Sequence, residues 1–269
     1  MPVAPLTLTC LSLATLFVAL VPIMLYRRLR APFALHWRDT VAGIAVFTLF
    51  ATVIERALHS YVLSADSPFA AWLTHPAVFV AYGAIAAGVC EEGGRYIAMR
   101  LIARRAAGRA DAPLDSTGLG YGIGHGGAEA WLVGVLVQLQ WVLFAVLANR
   151  GELDQHLTNL SMDAVLRVHM ILATLSPGFA GVFLLERLAA MVFQLGMSVL
   201  MWRGVRAGSK TILFVAIAVH ALIDVPAAMY QARLAGLALV DGLYVIAALI
   251  VATVLFKICR PGMRPVRAA

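Results

Sequence analysis

Residues 211–230 read TILFVAIAVHALIDVPAAMY, a run of twenty positions in which His220 and Asp224 are the only acidic or histidine side chains and no lysine or arginine occurs. As a helix, about 20 such residues cross a hydrocarbon core of roughly 30 Å. Six more stretches have this character, over 6–26, 40–62, 76–103, 118–148, 177–202 and 236–258. The composition agrees: of 269 residues, 62% are hydrophobic and 13% charged, against about 45–50% and about 25% in soluble proteins, and the mean hydropathy is +0.87. A transmembrane β-barrel would alternate polar and apolar residues in runs of about ten, and a disordered or collagen-like chain would be far more polar or glycine-periodic. The reading is an all-α, polytopic membrane helical bundle with about seven transmembrane helices, eight if 164–176 also inserts. The stretch 118–148 is long enough to hold a bend or a re-entrant start.

Basic residues then act as orientation signals. The chain carries 21 Lys and Arg against 14 Asp and Glu, a formal charge of +7. With the N-terminus outside and the C-terminus cytoplasmic, the inner loops and tail hold Arg27, Arg28, Arg30 and Arg38, then Arg100, Arg104, Arg105 and Arg109. Arg203, Arg206, Lys210, Lys257, Arg260, Arg264 and Arg267 follow on the same side. Only Arg150, Arg167 and Arg233 fall outside. That asymmetry accounts for the positive charge without a nucleic-acid partner. The segment 6–26 has no basic residues ahead of it and Arg27, Arg28 and Arg30 behind it, so it reads as a retained helix rather than a cleaved signal. It is an additional N-terminal helix on a core of about 40–258, and residues 1–269 form a single integral membrane domain. Cys10, Cys90 and Cys259 lie far apart with no metal or disulfide spacing.

Charged side chains near the middle of a membrane helix cost about 2.5–3.5 kcal/mol each, and seven of the 14 acidic residues fall in these stretches. The span 76–103 carries Glu91-Glu92-Gly93-Gly94-Arg95. On a helix Arg95 follows the glutamates by four and three positions, near enough to pair with either but not to neutralise both. One carboxylate can be held while the other serves as a base toward water. The plainer alternative is an ion pair pinning two helices, which would not need adjacent glutamates.

The stretch Gly118-Leu-Gly-Tyr-Gly-Ile-Gly-His125-Gly-Gly-Ala-Glu129 resembles a phosphate loop only superficially, since no Lys-Ser/Thr follows. Its glycines repeat every four residues, Gly120 with Gly124 and Gly122 with Gly126, a spacing that lets membrane helices approach closely. His125 and Glu129 sit one helical turn apart, and His220 and Asp224 repeat that geometry. Each pair can ligate a metal, or the carboxylate can orient the imidazole; each alone is equally a histidine satisfied within its own helix. Together, two histidines and several carboxylates suit zinc or a similar divalent ion. The expected orientation brings all three clusters into the cytoplasmic half of the membrane. Glu186-Arg187 either orients the cluster or forms a separate pair, Glu55-Arg56 with His59 reads as a structural pair, and Trp37, Trp72, Trp141 and Trp202 read as interfacial or lipid-facing anchors.

In their order on successive apolar helices, EEGGR, GHGGAE, ERLAA and HALID resemble the YhfC family of intramembrane metalloproteases, within the wider CAAX-protease and bacteriocin-processing group. The spacing EExxR fits the narrower family, where the wider group has EExxxR. The resemblance implies a helical core that hydrolyses a peptide bond in or beside the membrane. Glu91 or Glu92 would activate water beside Arg95, His125 and His220 would bind a metal or stabilise the oxyanion, and Glu129 and Asp224 would ligate or orient the histidines. Where this chain has Gln194, the narrower pattern often has a histidine. The expected activity is that of an intramembrane endopeptidase acting on a membrane-associated peptide or protein in a bacterial-type inner membrane. Zn²⁺ is the expected cofactor, with a metal-independent glutamate mechanism as the alternative. A proton- or metal-coupled transporter and a catalytically silent scaffold are the competing functions.

Overall fold

Continuous helices carry nearly all the described chain in the computed structural model, which describes residues 2–105 and 113–260. They are α1 (Pro5–Arg30), α2 (Trp37–Val62), α3 (Ala70–Leu73), α4 (Pro76–Arg105), α5 (Ser116–Arg150), α6 (Leu153–His156), α7 (Met162–Thr174), α8 (Pro177–Arg206), α9 (Ile212–Gln231) and α10 (Leu237–Ile258). No strand occurs among the described residues. The chain is a helical membrane protein: α1, α2, α5, α8, α9 and α10 are each long and apolar enough to cross a membrane.

The seventh expected span, 76–103, is α4. Its 30 residues reach about 45 Å at 1.5 Å per residue, but Glu91, Glu92 and the arginines after them leave it less apolar than the other six. The segment around 164–176 is α7, whose 13 residues extend only about 20 Å. Two of the long helices contain a π turn, Phe50–Glu55 in α2 and Ala130–Val135 in α5. So α5 runs unbroken through 35 residues, with a wide turn where a bend or re-entrant start was expected.

Basic residues close the last turns of alternate long elements: Arg27, Arg28 and Arg30 in α1, Arg104 and Arg105 in α4, Arg203 and Arg206 in α8, and Lys257 in α10. Cations at these carboxyl ends also complement the helix dipole. Arg109, Arg264 and Arg267 lie outside the described residues. Trp202 corrects an expectation: it is 2% exposed, and its indole N–H donates to the Leu114 carbonyl at 2.9 Å. Trp37 and Trp72 are exposed.

Contacts divide the chain into two compact units. One comprises Met1–Val21 and Glu129–Leu188, the other Pro22–Ala128 and Ala189–Ala269. The first has an apolar core of Leu11, Ala14, Ala145, Leu172 and their neighbours. In it Asn149 exchanges two hydrogen bonds with the backbone of Val3, and Glu129 pairs with Arg187 at 3.3 Å.

The second unit holds the chemistry, and its glycines set the packing. Residues 116–128 of α5 are buried throughout. A methyl group at Gly124 would overlap the Thr40 carbonyl of α2, and at Gly120 it would touch Asp39 and Thr40 of the same helix. At Gly122 or Gly126 it would press on Ser198, Leu195, Gln194 and Met191 of α8. The two four-residue repeats are therefore two stripes, one for each neighbouring helix. At the helix ends, Arg203 grips Asp115 with two 2.7 Å bonds and donates to the Ile258 carbonyl at 2.9 Å, tying α8 and α10 to the start of α5.

Candidate functional site

Close approach of α4 to α9 begins the site. A Cβ at Gly88 of α4 would lie 3.0 Å from the Ile217 carbonyl oxygen of α9 and 3.6 Å from Cβ of His220, so only glycine lets these backbones sit at this distance. On the other side, the ring of Phe50, in the π turn of α2, covers Gly94, where a Cβ would meet it at 2.6 Å. The glutamates are thereby aimed at residues brought in by α5, α8 and α9.

Arg95 divides the two glutamates. Its Nε lies 3.2 Å from Oε2 of Glu92, an ion pair off the angle of a hydrogen bond, while Nη2 is 3.9 Å from Oε2 of Glu91. The guanidinium also donates to the Ser198 hydroxyl at 2.7 Å and to the Gln194 carbonyl at 3.1 Å, and it bonds the side-chain oxygen of Gln194. Glu92 completes its set with Nδ1 of His220, 2.7 Å from Oε1, and Nε2 of that ring is 3.4 Å from Oδ2 of Asp224.

Glu91 is held differently. Nε2 of His125 and the side-chain amide of Gln194 each lie 3.0 Å from the same oxygen, Oε2. The Glu92, Arg95 and His125 side chains are fully buried, whereas Glu91 keeps 11% of its side-chain exposure and Asp224 31%. Glu91 and Asp224 thus mark where the cluster opens. Tyr121 stacks on the His125 ring at 5.7 Å between centroids, and Phe47 meets it edge-on at 5.1 Å; these contacts fix the imidazole plane.

Of the residues singled out in the sequence, Glu91, Glu92, Arg95, His125, His220 and Asp224 lie in one network within the second unit. Glu129 lies in the first unit, with Arg187 as its partner. Glu55 and His59 pair at 3.2 Å, and His59 also bonds Tyr82 at 2.8 Å. Ser198 is a network member that the motifs did not single out, and Gln194, marked in the sequence only as standing where the family pattern often has a histidine, joins it. Their signal is spacing: at i and i+4 on α8, they share the face that takes the glycine stripe of α5.

The donor types suit a divalent ion, but the residues as arranged do not fit one. Both nitrogens of His220 and Nε2 of His125 face carboxylates, and the Arg95 guanidinium brings its own positive charge into the centre of the cluster. Among the described residues, no three His, Cys, Asp or Glu side chains come together in a way that could hold a metal.

Residues 17–245 match the family described as YhfC intramembrane metalloprotease. A relative from Bacillus subtilis (strain 168), described as an uncharacterized membrane protein YhfC, is 31% identical over 222 residues, covering 82% of this chain and 84% of its own length. No solved structure matches the chain. On the strength of that match and that relative, the chain is a membrane protein that belongs to the YhfC family.

Proposed function

We propose that this protein is an intramembrane endopeptidase of a bacterial cell membrane, oriented with its N-terminus outside, in which Glu91 is the base. The observation that carries the reading is the unequal commitment of two adjacent carboxylates. Glu92 is sealed between Arg95 and His220, whereas among the described residues the hydrogen bonds and ion pairs of Glu91 all fall on Oε2. Oε1 of Glu91 is then the oxygen that takes a proton from water as the water attacks a scissile carbonyl. His125 holds Glu91 in that orientation. His220, held through Nδ1 by Glu92, gives up the longer 3.4 Å contact of its Nε2 with Asp224 to become the donor for the oxyanion or the leaving amine, the electrostatic part of the work. The family's description supports the protease class. Zinc has no part in this reading, because both nitrogens of His220, Nε2 of His125 and both oxygens of Glu92 already face partners within the cluster.

The test is cleavage. The protein is reconstituted into liposomes with a pool of membrane-spanning peptides, and new N-termini are read by mass spectrometry. Wild type is expected to cut a subset of the pool, and Glu91→Gln to lower that cleavage by at least about 100-fold, the scale of a lost general base, while remaining folded. Equal cleavage by Glu91→Gln overturns the assignment, and substrate-dependent ion flux without cleavage would favour a transporter.

A further inference from the structure

We infer that Gln194 is a positioning residue for Glu91, fixing which of its oxygens meets water; this rests on the reading of Glu91 as the base. The side chain lies between a group that only donates and a group that, when ionised, only accepts. Arginine offers N–H donors alone, so the oxygen of Gln194 must face Arg95, and its amide nitrogen is left for Oε2 of Glu91 at 3.0 Å. The amide therefore has one orientation, set by its partners. The Gln194 backbone carbonyl takes a second Arg95 bond at 3.1 Å, which holds this turn of α8 against α4.

Packing supports the same assignment. A Cβ at Gly126 would lie 3.0 Å from Cβ of Gln194, so α5 delivers His125 one residue away from the point where it touches the stem of Gln194. His125 and Gln194 approach Oε2 from two different helices, and neither contacts Oε1. Removing one of two charge-assisted bonds on that oxygen lets the carboxylate rotate, which costs turnover rather than substrate affinity. A side chain that only filled space at position 194 would be replaceable by any residue of its volume.

Near-isosteric substitutions test this. On a peptide that wild type cleaves in reconstituted liposomes, Gln194→Met removes both bonds at nearly constant volume. It is expected to lower kcat about 10- to 100-fold, the range for a lost bond to a charged group, with KM within about twofold. Gln194→Glu keeps an acceptor for Arg95 but turns a second carboxylate toward Glu91, and is expected to be at least as impaired. Gln194→His again offers an N–H to Glu91 and is expected to recover part of the loss. If Gln194→Met cleaves like wild type while Glu91→Gln is inactive, the role of Gln194 falls and the hydrolase reading stands. If Glu91→Gln cleaves like wild type, both fall. Should Gln194→Met fail to accumulate in the membrane, the remaining pair decides: His above Glu supports the assignment, and Glu equal to or above His overturns it.

Discussion

Nδ1 of His220 lies 2.7 Å from Oε1 of Glu92, joining residues 128 positions apart in the chain. This contact, with the Arg95 ion pair on the other oxygen, makes Glu92 the anchor of the cluster while its neighbour keeps access to the outside.

Glu92→Gln should therefore be a stability mutation first. It leaves the fully buried Arg95 guanidinium without its main countercharge, and breaking a buried pair from one side costs about 3–5 kcal/mol. Thermal melting in detergent should place Glu92→Gln far below wild type, or its yield should collapse, whereas Glu91→Gln should melt close to wild type. Similar melting of the two variants would contradict the division of labour between them.

The glycines make a second, geometric prediction. Gly124→Ala and Gly43→Ala place a methyl group onto the carbonyl oxygens of Thr40 and Tyr121, and backbone cannot yield as a side chain can. Each should cost at least about 1–3 kcal/mol, the usual range for overpacking, and should displace His125 with α5. Gly93→Ala meets nothing within 4 Å and should be neutral or slightly stabilising, since alanine favours helix by about 1 kcal/mol over glycine. Melting temperature and cleavage of the three variants side by side check this.

Cys259, just beyond the end of α10, gives a readout at the Asp115–Arg203 clasp. Burial, and then the negative charge of Asp115, pushes its thiol up to about 12. Only the thiolate is nucleophilic, so alkylation of Cys259 by iodoacetamide should be slow at pH 8 and rise steeply only toward pH 12. Asp115→Asn removes a charge that opposes ionisation and should speed labelling at pH 8, though not to the rate of a free thiol, because burial remains. Mass spectrometry of the labelled peptide measures both rates.

Metal content separates two arrangements of one donor set. With three imidazole nitrogens facing carboxylates and Arg95 among them, the resting protein is expected to hold no stoichiometric zinc after purification in detergent. Near one zinc per chain, lost in both His125→Ala and His220→Ala, would instead mean that the histidines leave their carboxylates for an ion.

Hydrophobic arithmetic determined the class of fold, because a helix is the structure that lets about 20 apolar residues satisfy their own backbone in lipid. It also singled out Glu91, Glu92, Arg95, His125, His220 and Asp224, since ionisable groups are costly in a membrane span and need partners or a purpose. The four-residue glycine period gave away close helix packing around His125. Partnership was decided only in three dimensions. That Arg95 lies nearer Glu92, that Glu129 takes Arg187, and that Trp202 is buried all depend on which face of one helix meets another, over separations of up to 88 residues. Gln194 shows the reason most plainly: the family resemblance marked the position and its i, i+4 spacing to Ser198 gave it a face, but only the packing of α8 against α4 brings it between Arg95 and Glu91.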